Sequence, residues 1–129
     1  MGLQAIALVG LGGAVGSIVR HLLSTWTMQA GATQKFPLGT FAVNLLGCLA
    51  AGLLAGWAQR HPGWLSPELR LLLMVGLLGG FTTFSAFGLE TAQLLRRGDW
   101  LVAGGYVCGS VLLGLALVLL GWRLAGPAG

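Results

Sequence analysis

Residues 71–89 read LLLMVGLLGGFTTFSAFGL, nineteen residues without a formal charge, with two adjacent glycines and two adjacent threonines near the centre. A run of that length and apolarity is long enough to cross a bilayer as a helix. Its middle, Gly79-Gly80-Phe81-Thr82-Thr83-Phe84-Ser85-Ala86-Phe87, is poor helix-forming sequence. Any backbone group it frees must find a partner, because hydrocarbon offers none. Counting from Pro67 at ~1.5 Å per residue, Gly79 lies ~18 Å in, near the middle of a ~30 Å core. Two readings stand side by side. In one, the helix breaks at mid-membrane, and the freed carbonyls suit a cation while the amides opening the second half attract an anion. In the other, the glycines pack against a neighbour and the threonines bond back to the preceding turn.

Working outward, three more charge-free intervals appear, Met1–Val19, Phe36–Gln59 and Trp100–Trp122. With the first, they predict an all-α integral membrane protein of four transmembrane helices, about 3–26, 37–58, 67–95 and 99–123, forming one transmembrane domain over residues 1–129. Composition agrees. The chain is 56% apolar and 8% charged, with seven Lys or Arg against three Asp or Glu. So few charges cannot cover a water-exposed surface, which excludes a soluble enzyme. The basic residues stand singly along the chain and form no nucleic-acid face; they read as interfacial anchors. Cys48 and Cys108 lie inside apolar runs and behave as small hydrophobes.

Boundary residues support the four helices. Pro37 precedes helix 2, Ser66-Pro67-Glu68 provides an N-cap, a first-turn proline and an acidic first turn for helix 3, and Gly98-Asp99 provides a turn and an N-cap for helix 4. Trp26, Trp57, Trp64, Trp100 and Trp122 fall near helix ends, where indoles favour the headgroup layer. Each helix carries a small-xxx-small pair: Gly12/Gly16, Gly52/Gly56, Gly76/Gly80 and Gly105/Gly109. In lipid such pairs let backbones approach closely, and one per helix predicts a compact bundle. Basic residues divide almost evenly, with Arg60, Arg70 and Arg123 on one side against Arg20, Lys35, Arg96 and Arg97 on the other. Because Lys/Arg excess sets orientation, a near tie is consistent with chains inserted both ways and paired as an antiparallel homodimer.

Depth counting assembles a polar band. Asn44 lies ~10 Å past Pro37, Tyr106 and Ser110 ~10 and ~16 Å past Asp99, and Phe87 and Phe84 ~12 and ~16 Å back from Leu95. Amide N–H, hydroxyls and positive ring edges together suit a small anion. For the two phenylalanines and Tyr106, ordinary packing stands as the alternative. Asn44 needs a partner, since an unpaired amide costs on the order of 2–7 kcal/mol in an apolar medium. Arg20 and Glu90 lie inside their spans and either pair with each other or reach to the headgroups; an anion-attracting vestibule at Arg20 is the functional alternative.

No Asp or Glu lies between the caps of helices 1, 2 or 4, which disfavours a small multidrug-type proton-coupled exporter. The polar band disfavours a non-conducting assembly subunit. No nucleophile–base pair, nucleotide fingerprint or tetrahedral metal-ligand spacing is present, and the chain does not read as an enzyme.

Three stretches together resemble one family, the small dual-topology fluoride channels (Fluc or CrcB family). They are Gly12-Gly13-Ala14-Val15-Gly16-Ser17-Ile18-Val19-Arg20, Gly39-Thr40-Phe41-Ala42-Val43-Asn44-Leu45-Leu46-Gly47 and residues Gly76 to Phe87. The resemblance implies passive fluoride export from a bacterial inner membrane through an antiparallel homodimer with two pores and a central, non-transported structural sodium ion. It implies sodium held by the Gly79 and Thr82 carbonyls and pores lined by Asn44, Phe84, Phe87, Tyr106 and Ser110. Arg20 corresponds to a vestibule arginine. Departures are Ser17 for a commoner Ala, His21 for Tyr, Ala86 for Thr or Ser, and Gly114 where a hydroxyl often continues the helix 4 line.

Overall fold

A computed structural model describes residues 2–30 and 36–127, which form helices joined by short connections, with no strand among them. Lys35, counted above as an anchor, lies outside the described residues. The helices are α1 (Leu3–Ala30), α2 (Leu38–Arg60), α3 (Pro67–Arg70), a π-helical segment (Leu71–Leu78), α4 (Gly79–Phe81), α5 (Phe84–Arg96) and α6 (Trp100–Ala125). Four spans are long and apolar enough to cross a membrane: Leu3–Met28, Leu38–Arg60, Pro67–Arg96 and Trp100–Ala125.

The third span starts as its residues dictate. Ser66 Oγ accepts a hydrogen bond from the Leu69 N–H at 3.1 Å, with Pro67 and Glu68 in the first turn. Asp99 stands at the N-cap position of α6 but makes no side-chain cap bond. Its backbone, at φ −83° and ψ 61°, is not in the extended conformation that turns a capping side chain over the first amides, and its carboxylate lies 4.0 Å from Arg97 Nε.

Two helix pairs make the bundle. The first half of the third span packs along α1, and α2 packs along α6. At the first seam Gly12 and Gly16 meet the backbone of the π-helical segment and α4. A Cβ on Gly12 would stand 2.8 Å from Leu77 N, and one on Gly16 2.9 Å from Phe81 N. At the second seam Gly52 and Gly56 face the backbone of Val118 and Trp122, while Gly121 faces that of Leu53. The Gly105/Gly109 pair does not serve as a seam. Gly105 has nothing within 4 Å, and Gly109 meets only the Phe41 ring. The helical period explains this: Gly114 and Gly121, two turns apart, share the face toward α2, whereas Gly105 lies nine residues before Gly114, about 180° round the helix.

Few side chains are buried. Val43, Leu94, Ala103 and Tyr106 are the buried hydrophobics, while residues such as Leu3 and Leu101 point outward. A lipid solvent explains it, because apolar side chains gain nothing by leaving hydrocarbon and the glycine seams do the packing.

Candidate functional site

Thr82 and Thr83 interrupt the third span. Both are extended, Thr82 at φ −90°, ψ 155° and Thr83 at φ −149°, ψ 124°. The interruption falls where two β-branched residues follow two glycines, a sequence with little helix propensity to resist it. Local groups then seal both ends. Leu78 O accepts the Thr82 N–H and the Thr82 hydroxyl, each at 3.0 Å, and Thr83 Oγ1 accepts the Ala86 N–H to start α5.

Neighbouring helices supply the remaining bonds. Asn44 on α2 pairs with Thr83 as a second peptide group would: Asn44 Nδ2 donates to Thr83 O and the Thr83 N–H donates to Asn44 Oδ1, both at 3.2 Å. Arg20 on α1 donates from Nε to Gly80 O at 3.0 Å, and Ser17 Oγ donates to the same oxygen at 3.5 Å. An uninterrupted helix would bring the Thr83 N–H to the Gly79 carbonyl; that N–H is on Asn44 instead. The Gly79 carbonyl thereby loses its regular helical donor, and the Thr82 carbonyl loses its own, since the Ala86 N–H turns to Thr83 Oγ1. Both residues line an open groove of about 460 Å³, together with Asn44, Cys48, Thr83 and Phe84. These oxygens stand at the C-terminal, negative end of a half-helix, an environment that suits a cation.

A second polar group lies between α2, α5 and α6. Tyr106 is fully buried and ringed by aromatics, with ring centroids 5.0 Å from Phe87, 5.4 Å from Phe36 and 6.4 Å from Phe41. Ser110 follows one turn along the same face of α6. Neither the Tyr106 hydroxyl nor the Ser110 hydroxyl, both buried, makes a hydrogen bond with a described residue. Beside them Thr40 Oγ1 donates to Glu90 Oε1.

The structure thus brings Phe84, Phe87 and Tyr106 into one chain of ring contacts, with Phe84 and Phe87 centroids 5.7 Å apart. Asn44 sits at the interruption, bonded to Thr83, and Phe84 is 82% exposed on the groove side. Arg20 Nε bonds the Gly80 carbonyl, and Glu90 Oε1 accepts from Thr40. Gly114 lies against Cys48, whose Sγ would be 3.3 Å from a Cβ there, so close helix approach accounts for the glycine. Sequence reasoning missed the Thr40–Glu90 pair and the grip of Ser17 and Arg20 on Gly80. Thr40, one turn before Asn44 on α2, was the available signal for the first.

Four apolar spans, with polar groups gathered between them at the interruption and around Tyr106, define a multi-pass membrane protein. The chain belongs to the family described as "CrcB-like protein, Camphor Resistance (CrcB)", whose profile matches residues 7–122. It is similar to the fluoride-specific ion channel FluC of Methylobacillus flagellatus, at 50% identity over 119 residues, covering 92% of each chain. It is also similar to the proteins of that name from Novosphingobium aromaticivorans, 49% identical over 92% of this chain and 94% of that one, and Nitratidesulfovibrio vulgaris, 47% identical over the same shares.

Proposed function

We propose that this protein is a fluoride-specific channel, not an enzyme, which lets fluoride leave the bacterial cell passively across the inner membrane. The observation that carries the reading is the pair of buried hydroxyls, Tyr106 Oη and Ser110 Oγ, neither of which makes a hydrogen bond among the described residues. A buried donor left unmade costs about 1–3 kcal/mol, so this pair is built to meet something that passes. Fluoride is small and tightly hydrated, and hydroxyls, the free N–H of Asn44 and the ring edges of Phe84 and Phe87 replace its water without a fixed positive charge that would trap it. Hydrogen fluoride enters cells uncharged and dissociates inside, so the anion needs only a downhill route out.

The working unit is an antiparallel homodimer with two pores. A second chain set across the groove would close it over Phe84, and the near-even division of Lys and Arg, three against four, is consistent with insertion in both orientations. The donor set at the interruption fits a structural sodium ion: uncharged carbonyl oxygens of Gly79 and Thr82, freed at a half-helix C-terminus, are ligands for a hard cation. Two oxygens from one chain are too few for such an ion, and a two-fold partner doubles them. When bound, the ion supplies positive charge near the membrane centre, which lowers the barrier for an anion in a low dielectric. Within the chain, Asn44 and Thr82 hold the interruption open, and Arg20 stands at the vestibule.

The test is efflux from proteoliposomes loaded with fluoride, with chloride-loaded vesicles as control. Fluoride release without chloride release is expected; equal or absent release of both refutes the reading.

A further inference from the structure

Among the acceptors freed at the interruption, the Gly80 carbonyl is the one taken by a charged side chain. The donor is Arg20 Nε at 3.0 Å, with Ser17 Oγ one turn earlier on α1 reaching the same oxygen. The approach depends on glycine: a Cβ on Gly80 would lie 3.0 Å from Gly13 Cα, so α1 and α4 touch backbone to backbone just before the interruption. We propose that Arg20 is a positioning residue, whose Nε–H fixes the Gly80 carbonyl and thereby determines which carbonyls remain for a cation. This rests on the channel reading above and deepens it, because a vestibule arginine acting only by its charge would need no particular nitrogen on Gly80.

Three physical points support the assignment. The guanidinium lies at the negative end of a half-helix, where a cation stabilises the last carbonyls. The bond is made by the nitrogen nearest the backbone, which has the shortest tether and gives the most definite placement. Without it, Gly80 O keeps only the longer 3.5 Å bond from Ser17 Oγ, and the tie of the half-helix end to α1 is weakened.

Side-chain geometry separates position from charge. Glutamine carries its Nε2 the same number of bonds from Cα as arginine carries Nε, so Arg20→Gln keeps a donor in place and removes the charge. Lysine has a methylene at that place, so Arg20→Lys keeps the charge and moves the donors one bond further out. The experiment compares wild type, Arg20→Gln and Arg20→Lys in proteoliposomes for fluoride efflux as a function of sodium concentration. It adds hydrogen exchange across residues 78–85 of the same proteins in nanodiscs. Loss of a hydrogen bond to a charged group predicts that Arg20→Lys lowers flux about tenfold or more and raises the half-saturating sodium concentration by a similar factor, with faster exchange at Thr82 and Thr83. Arg20→Gln stays within about threefold of wild type in half-saturating sodium concentration and exchange, a fraction of that loss, while its flux also carries the loss of the vestibule charge. The reverse order in sodium dependence and exchange, with lysine better than glutamine, overturns the proposal in favour of a charge effect. Equal flux loss in both variants with wild-type exchange overturns it as well. If the wild-type protein passes no fluoride, the channel reading fails, and exchange alone decides: faster in lysine than in glutamine supports positioning, and any other order overturns it.

Discussion

Asn44→Ala removes one side chain and two hydrogen bonds at once, the 3.2 Å pair that joins α2 to the N–H and carbonyl of Thr83. Alanine leaves both backbone groups without their partner in a half-buried position beside the groove. Each loss costs about 1 kcal/mol where water replaces the amide and up to ~3 kcal/mol where it does not. Because the groove is open on one side, the lower half of that range applies, about 2–4 kcal/mol for the pair. At 1.4 kcal/mol per factor of ten, local opening at Thr83 rises roughly 30-fold to several-hundred-fold. Hydrogen–deuterium exchange of the Thr82–Phe84 amides in nanodiscs reads this directly, with the ends of α6 as internal reference. Fluoride flux falls in the same variant, since Asn44 both holds the interruption and offers its remaining N–H to the path. Unchanged exchange at Thr83 together with lost flux would refute the holding role and leave Asn44 as a pore donor alone; unchanged flux would remove it from the pore.

Phe84→Ile keeps the bulk and removes the positive ring edge, so fluoride efflux should fall at least about tenfold while the protein still purifies as folded oligomer, checked by size exclusion. Gly16→Ala places a methyl against Leu77 and Phe81 backbone and should destabilise the bundle by about 1–3 kcal/mol or more in thermal unfolding, whereas Gly105→Ala, with open space around it, should leave the midpoint unchanged or raised. Replacing sodium by N-methylglucamine throughout purification and assay should abolish most flux and lower the unfolding midpoint. Indifference to sodium counts against the Gly79 and Thr82 site.

Much of the architecture is legible from composition and punctuation. Residues 71–89 are long and uncharged enough to span, Ser66-Pro67-Glu68 starts the helix that holds them, and the glycine and threonine pairs mark where that helix yields. The close seams of α1 and α2 follow from Gly12/Gly16 and Gly52/Gly56, as small residues in lipid demand. The α6 pair at Gly105/Gly109 shows the limit, because spacing marks a smooth face without saying which way that face points. In a soluble protein the apolar stripe of a helix reveals its orientation; in a lipid-facing helix nearly every side is apolar, and that signal is lost.

The polar interior divides along the same line. Sequence alone places Asn44, Tyr106, Ser110 and the two phenylalanines at comparable depth, since rise per residue is a one-dimensional property of each helix. Which groups meet depends on helix rotation and on side-chain reach across a seam, and both are decided by packing. Only the tertiary structure sends Arg20 to Gly80, Thr40 to Glu90 and Asn44 to Thr83, taking from the Gly79 carbonyl its regular helical donor and leaving the hydroxyls of Tyr106 and Ser110 without a hydrogen bond among the described residues. The sequence by itself determined four membrane spans and a weak point in the third; the assembled helices decided which groups at that weak point find a partner, because rotation and reach across a seam are properties of packing.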